Sequence, residues 1–285
     1  MAKKIFVGAH MSIAGGYHKA IERGESIGCT AIQIFTKSNR SWSGKKITKK
    51  DADLFKETVK KSPIQKKYIN VHTSYLINLA AKNPDVIKKS KDALLEEVRR
   101  CEALDIPYLV LHPGSHVGTG EEVGIKQIAK NIDYVLDQSK KKVLILLENM
   151  AGQGTNIGYD LKQLNQIRSL CKNKKLIGYC MDLCHLFAAG YPLNSDKEYE
   201  ETMLQWEKIV GFQKLKVIHV NDSLMECGGK RDRHAPLGKG KMSHTVFKRI
   251  MNDKRFENIA KILETPDPGD MSLWEKEIKM LKKIT

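Results

Sequence analysis

The stretch Asp92-Ala-Leu-Leu-Glu-Glu-Val-Arg-Arg-Cys-Glu-Ala-Leu104, Asp105-Ile-Pro107, Tyr108-Leu-Val-Leu-His112 reads as a helix, a break and a buried strand in succession. Leu94, Leu95, Val98, Cys101 and Leu104 recur at helical spacing and make one apolar stripe. Glu96, Glu97, Arg99, Arg100 and Glu102 take its other side. Asn83-Pro84 opens the helical region and Pro107 closes it. The same unit repeats in both directions. Strand-like runs occur at Lys4–His10, Ala31–Lys37, Tyr68–Thr73, Tyr108–His112, Val143–Glu148, Ile177–Asp182, Leu215–Val220 and Ala260–Glu264. Between them lie further helix patterns, one running from Thr48 toward Lys61 and one from Ser195-Asp196 toward Val210.

Strands alternating with helices imply parallel β-α-β units with right-handed crossovers, an α/β fold. Eight units close a (β/α)8 TIM barrel, whose active site lies at the C-terminal ends of the strands. The rival is a doubly wound open sheet, which would bind a dinucleotide at a glycine-rich first turn. Here that turn is His10-Met-Ser-Ile-Ala-Gly-Gly, without G-x-G-x-x-G, so no nucleotide cofactor is expected. Residues 1–285 are expected to form a single catalytic barrel domain.

The 285 residues carry 49 Lys plus Arg against 33 Asp plus Glu, a formal charge of +16, with 41% hydrophobic and 29% charged residues. This is globular composition, not that of a disordered chain. The longest aliphatic run, Val143 to Leu147, falls far short of the about twenty residues that span a bilayer. Ile5-Phe6-Val7 is too short for a signal peptide's apolar region. The expectation is a cytoplasmic protein, neither secreted nor membrane-bound. Its six cysteines, at 29, 101, 171, 180, 184 and 227, show no C-x-x-C spacing and read as reduced thiols. The positive charge nominates a polyanionic partner, although the lysines are spread along the chain.

From the third strand onward the strand ends are His72, His112, Glu148, Asp182, His219 and Glu264, all metal-ligand types. A lone strand-terminal histidine is usually a hydrogen-bonded core residue. Glu148 is harder to dismiss, because it follows Val-Leu-Ile-Leu-Leu, and a buried carboxylate is costly unless paired or coordinating a cation. Several carboxylates at one rim need positive charge that neutral imidazoles lack and divalent cations supply. His185 stands three residues after Asp182, a step that a tight turn can bring together. Asp232 and His234 are two apart, which in an extended loop points both to one side. Mixed imidazole and carboxylate donors suit zinc first, with Mn2+ or Fe2+ as substitutes, and disfavour all-oxygen magnesium or calcium sites. So many donors exceed one tetrahedral ion; two or three ions sharing a bridging carboxylate fit better.

Other motifs carry less. Gly24-Glu-Ser-Ile-Gly28 matches G-x-S-x-G but lies between a helix and the next strand, the reverse of a nucleophile elbow. Leu237-Gly-Lys-Gly-Lys is not a phosphate loop, and H-E-x-x-H is absent. The Gly114–Gly120 stretch around His116 reads as a flexible βα loop. His18 and His244 read as solvated, and His10 as either a neighbour of the site or a core histidine.

Along the whole chain, Gly8-Ala-His10-Met-Ser, His112-Pro-Gly-Ser, Leu147-Glu148-Asn-Met-Ala-Gly, Asp182-Leu-Cys-His185, His219-Val-Asn-Asp222-Ser and Asp232-Arg-His234-Ala-Pro-Leu-Gly-Lys-Gly together resemble the endonuclease IV family. These are zinc-dependent apurinic/apyrimidinic endonucleases of base-excision repair on a (β/α)8 barrel. The resemblance implies three Zn2+ ions. His72, His112 and Glu148 would hold the first, with Glu148 bridging to a second held by Asp182, His219 and Glu264. His185, Asp232 and His234 would hold the third. The implied reaction is hydrolysis of the phosphodiester 5′ to an abasic site, leaving a 3′-hydroxyl and a 5′-deoxyribose phosphate. Glu148 would position the nucleophile, and cleaning of blocked 3′ ends is expected too. Arg40, Tyr75 and Leu76 match the family's DNA-inserting positions, the partner being abasic duplex DNA and the chain acting as a monomer. Two rivals stand: a metal-dependent sugar isomerase on a similar barrel, and a catalytically silent nucleic-acid-binding barrel.

Overall fold

Each strand-like run becomes one stave of a closed barrel. The computed structural model describes residues 4–140 and 143–285. The staves are β1 (Val7–Met11), β2 (Ile32–Ile34), β3 (Ile69–His72), β4 (Tyr108–Leu111), β5 (Leu144–Glu148), β6 (Ile177–Asp182), β7 (Leu215–His219) and β8 (Ala260–Leu263). They follow one another round the barrel in chain order, and β1 closes it by pairing with both β8 (Gly8↔Ile262) and β2 (His10↔Gln33). Every pairing round the barrel is parallel. Parallel neighbours need a long crossover, and helices supply it: α1 (Tyr17–Ser26), α2 (Lys49–Lys61), α3 (Pro84–Leu104), α4 (Glu121–Leu136), α5 (Leu161–Leu170), α6 (Leu183–Ala189), α7 (Asp196–Ile209), α8 (His244–Asn252) and α9 (Ser272–Lys283).

The helix limits follow from their caps. Thr48 and Asp51 form a capping box on α2, and Ser195 and Glu198 form one on α7. Asn83 caps α3 ahead of Pro84 in the first turn, and the helix stops at Asp105 in a left-handed conformation (φ 59°). Among the described residues no helix is long and apolar enough to cross a membrane, and all six cysteines are free.

Side chains alternate between two environments. Val7, Ile34, Val71, Leu111, Ile145, Tyr179 and Ile218 pack outward into the large core under the helices. Phe6, Val110, Leu146, Cys180, Val217 and Ile262 form a separate small cluster, the barrel's interior. The period of two then dictates what lies two residues further along each inward column. After Leu146 comes Glu148, after Cys180 Asp182, after Val217 His219, after Ile262 Glu264 and after Val110 His112. The apolar interior is therefore roofed by a polar layer at the C-terminal rim.

Two expectations are corrected. β2 is shorter than Ala31–Lys37, because from Phe35 the chain leaves the barrel. The Gly114–Gly120 stretch is not a free loop: Gly114–Ser115 pairs antiparallel with Asn156–Ile157, and His116 N–H donates to the Thr155 carbonyl. On the polar side of α3, Glu97, Arg100 and Glu102 are buried.

Candidate metal centre

Glu148 lies at the middle of the rim with no solvent exposure. Its Oε2 is 3.2 Å from His72 Nε2 and 3.3 Å from His112 Nε2. Its Oε1 is 3.3 Å from His219 Nδ1 and 3.2 Å from His185 Nδ1. One carboxylate thus faces two groups of donors. Three sets bring one donor atom per residue within 4.8 Å of one another: His72, His112 and Glu148; Glu148, Asp182, His219 and Glu264; and His185, Asp232 and His234. Cys180 and Cys184 border two further sets, but burial pushes both thiols up to about 12, against thiolate ligation.

The loops that add the last set are built by side-chain bonds. Asp182 caps α6, its Oδ1 accepting the His185 N–H at 2.7 Å, so the three-residue step is a helix N-cap. His234–Ala235 pairs antiparallel with Asp222–Ser223. The buried Asp222 carboxylate accepts the N–H groups of Ser223, Gly238, Gly240 and Met242 at 2.7, 2.9, 2.9 and 3.1 Å. A Cβ on Gly240 would lie 2.3 Å from the Ser223 carbonyl oxygen, so glycine is required there. The glycine-rich 237–241 stretch therefore wraps a buried anchor and carries no phosphate-loop geometry.

The ring nitrogens are oriented by acceptors outside the cluster. His72 Nδ1 is 2.8 Å from Thr73 O, His185 Nδ1 3.0 Å from Asn149 O and His234 Nδ1 3.2 Å from Glu264 O. His219 Nε2 is 2.9 Å from Gln33 Oε1. Gln33 cannot turn round, because its Nε2 donates to Glu264 Oε1 at 2.6 Å. A carbonyl or amide oxygen only accepts, so the nitrogen beside it carries the proton and the other ring nitrogen keeps the lone pair; in His185 the protonated Nδ1 also faces Glu148 and the lone pair on Nε2 faces Asp232. His219 Nδ1 sits 3.1 Å from Glu264 Oε2 and 3.6 Å from Asp182 Oδ2, besides Glu148. The inner Nε2 atoms of His185 and His234 are buried 3.2 and 3.3 Å from the two Asp232 oxygens, with no well-directed hydrogen bond among the described residues. Lone pairs converging on carboxylates repel unless a cation lies between them, so the donor set fits divalent metal ions.

The electrostatics agree. Burial alone would raise Glu148, but His219 and His112 hold it well below the usual carboxylate range. Asp232 is lowered in the same way, His185 overcoming burial. Burial would lower His72, yet Glu148 turns the shift upward; for His185 the carboxylates of Asp182 and Asp232 do so, and strongly.

The cluster opens to solvent where His112 (22% side-chain exposure) and Asp232 (41%) line a cavity of about 400 Å³ with Tyr75, Asn78, Met150 and Arg233. Tyr75, 55% exposed, hangs over this mouth with its ring centroid 5.5 Å from that of His72 and 5.7 Å from that of His112. Leu76 beside it is half-buried, and Arg40 is exposed on the loop after β2. The two loops are tied by Ser74 Oγ donating to Asn39 O at 2.8 Å. His10 borders the cluster, 3.5 Å from Glu264 Oε1. His244 is exposed, and His18 is half-buried.

Sequence reasoning missed Gln33, Asn149, Asn221 and Asp222. Asn149 brackets Asp182 through the Asp182 N–H (2.8 Å) and carbonyl (3.0 Å), and Asn221 donates to Asp182 Oδ2 at 2.8 Å. Three of these stand just after Glu148 or His219, so the motifs contained them. Gln33 had one signal, a polar residue in the inward phase of an apolar strand.

This barrel, with a rim of metal-ligand side chains, is of the xylose isomerase-like TIM barrel class, whose family model matches residues 21–284. A "Probable endonuclease 4" of Geotalea daltonii is 42% identical over 282 residues, covering 99% of this chain and 98% of that one. Another, from Chloroflexus aurantiacus, is 40% identical over 278 residues, covering 97% of each. The crystal structure of endonuclease IV from Thermus thermophilus superposes with a TM-score of 0.85 at 29% identity, covering 98% of this chain and 99% of that one. The chain belongs to the endonuclease 4 family.

Proposed function

We infer that this protein is a metal-dependent endonuclease of DNA repair that cuts duplex DNA 5′ to abasic sites, leaving a 3′-hydroxyl and a 5′-deoxyribose phosphate. Cleaning of blocked 3′ ends would use the same chemistry. The observation that carries the reading is Glu148, a fully buried carboxylate with two imidazole nitrogens at about 3.3 Å from each oxygen. The nine donors His72, His112, Glu148, Asp182, His185, His219, Asp232, His234 and Glu264 would hold three Zn2+ ions in the three sets above, Mn2+ or Fe2+ being substitutes. Bound there, the ions would acidify a water and neutralise charge on the scissile phosphate.

The chain's own residues do the rest. Thr73, Asn149, Glu264 and Gln33 fix the imidazole tautomers so that the reacting centre needs no reorganisation. His112 and Asp232 form the open side through which a phosphate reaches the cluster. Tyr75 lines that mouth, and with Leu76 beside it and Arg40 on the loop tied to it, an aromatic ring, an aliphatic side chain and a guanidinium would hold a nucleotide out of the helix; extrusion is cheapest where no base must unstack. The +16 charge would add a salt-sensitive attraction to the DNA backbone.

The test is metal content per chain together with incision of a defined abasic duplex before and after chelation, with a free ketose as parallel substrate. Incision abolished by chelator and restored by zinc is expected. Turnover of the ketose instead would favour the sugar isomerase, and metal-independent DNA binding without cleavage the silent barrel.

A further inference from the structure

We propose that Glu97, with Lys37 and Arg100, is a positioning device that holds the loop between β2 and α2 in its DNA-binding shape, so that Arg40 is presented already ordered. The proposal rests on the reading of Arg40 as a DNA contact. The loop covers residues 35–48 and contains neither helix nor strand. Loops of this length are uncommon in compact domains unless they are functional or disordered. This one is gripped from beneath by the polar side of α3. Lys37 Nζ is 2.9 Å from Glu97 Oε1, with side-chain exposures of only 2% and 1%. The same ammonium donates to the Ser41 carbonyl at 2.9 Å, directly beyond Arg40. Thr36 Oγ1 donates to Glu97 Oε2 at 2.6 Å and accepts from Arg100 Nε at 3.0 Å. Arg100 also donates to the carbonyls of Thr36 and Lys45, the latter at 2.9 Å, and to Tyr17 OH at 2.7 Å. Glu96 Oε1 accepts the Gly44 N–H at 3.0 Å. A Cβ on Gly44 would lie 2.7 Å from Lys37 Cβ, so glycine lets the two limbs of the loop close on each other.

The loop is therefore held at 36, 37, 44 and 45 from α3, at 41 by its own Lys37, and at 39 from the Tyr75 loop, while Arg40 itself stays exposed. Stability alone does not require this. A buried ion pair is often no better than two apolar side chains of the same volume, and its advantage lies in dictating one geometry. A preordered loop does not lose its conformational freedom again when DNA binds. The clamp also couples Arg40 to Tyr75 through the Ser74–Asn39 bond, so both would meet DNA in a fixed relation.

The experiment compares the metal-loaded wild type with a Lys37→Met/Glu97→Leu double variant, which removes both charges together and leaves neither buried alone. Hydrogen–deuterium exchange of residues 38–45, bound metal per chain, and kcat and KM for abasic duplex are measured. Exchange across the loop is expected to quicken about tenfold. Metal content is expected to be unchanged, KM to rise about tenfold, and kcat to change less than roughly twofold. Arg40→Ala in the double-variant background should then cost less than it does in wild type. Should the double variant not fold, Glu96→Gln, which keeps an acceptor for the Gly44 N–H and removes the charge facing Arg100 at 3.2 Å, should show the same pattern at about threefold. Unchanged exchange overturns the proposal, as does faster exchange with unaltered KM, or a fall in kcat that tracks metal loss. Failure of the wild type to incise abasic duplex would instead strike the functional reading, and the exchange result would still decide whether the clamp orders the loop.

Discussion

Replacing Gln33 by Leu keeps the approximate volume of a fully buried side chain and deletes its amide. Four hydrogen bonds vanish: the 2.9 Å acceptance from His219 Nε2 and the 2.6 Å donation to Glu264 Oε1, and beside them the acceptance from Asn70 Nδ2 and the 3.1 Å contact with His10 Nδ1. Each partner left unsatisfied in the interior costs about 1–3 kcal/mol. Part of that cost falls equally on the metal-free and metal-bound protein and cancels. The remainder is specific to metal, because without the amide nothing obliges His219 to place its proton on Nε2 and its lone pair on Nδ1. One to two decades of affinity correspond to about 1.4–2.8 kcal/mol, so half to nearly all of an orphaned bond at the upper cost of about 3 kcal/mol gives a loss of about 10–100-fold. Competition with a chromophoric chelator at neutral pH measures this directly. Thermal unfolding with and without zinc checks that the variant folds and that its metal-dependent stabilisation shrinks. A folded Gln33→Leu protein whose zinc affinity stays within about threefold of wild type would refute the tautomer argument.

Glu148→Gln should cut incision by at least about a thousandfold while abasic-duplex binding changes little, since the carboxylate shared by two donor sets is lost and the residues proposed to meet DNA are untouched; single-turnover cleavage and gel-shift titration separate the two. Arg40→Ala should weaken discrimination between abasic and intact duplex in competition binding, by about tenfold, and unchanged discrimination would reject Arg40 as an inserting residue. Metal affinity should climb with pH. His72 and His185 are raised above the ordinary 6.5, so protons compete with metal from above that pH downward, and equilibrium dialysis between about pH 5 and 9 should show metal lost on the acid side. Alkylation of the native protein should label Cys227 alone, because the other five thiols are buried; intact-mass analysis showing several adducts before unfolding would contradict that burial.

Much of this protein was legible in one dimension. Strand period, helix stripe and cap residues are local properties, so the eight staves and the limits of α2, α3 and α7 could be read residue by residue. The same period of two placed His112, Glu148, Asp182, His219 and Glu264 on inward columns at one end, since a closed parallel barrel sends all its strand ends to one rim. What the chain alone did not reveal is which polar faces another segment would cover. Glu97 and Arg100 sit opposite the apolar stripe of α3, and their burial exists only because the loop after β2, some sixty residues earlier, lies across them. Gln33 was likewise an isolated polar residue until closure set it beside His219, 186 residues away in sequence. Local pattern is fixed by covalent neighbours and backbone geometry. The partner that satisfies a buried donor or charge is chosen by packing between distant segments, and only the folded barrel decides it.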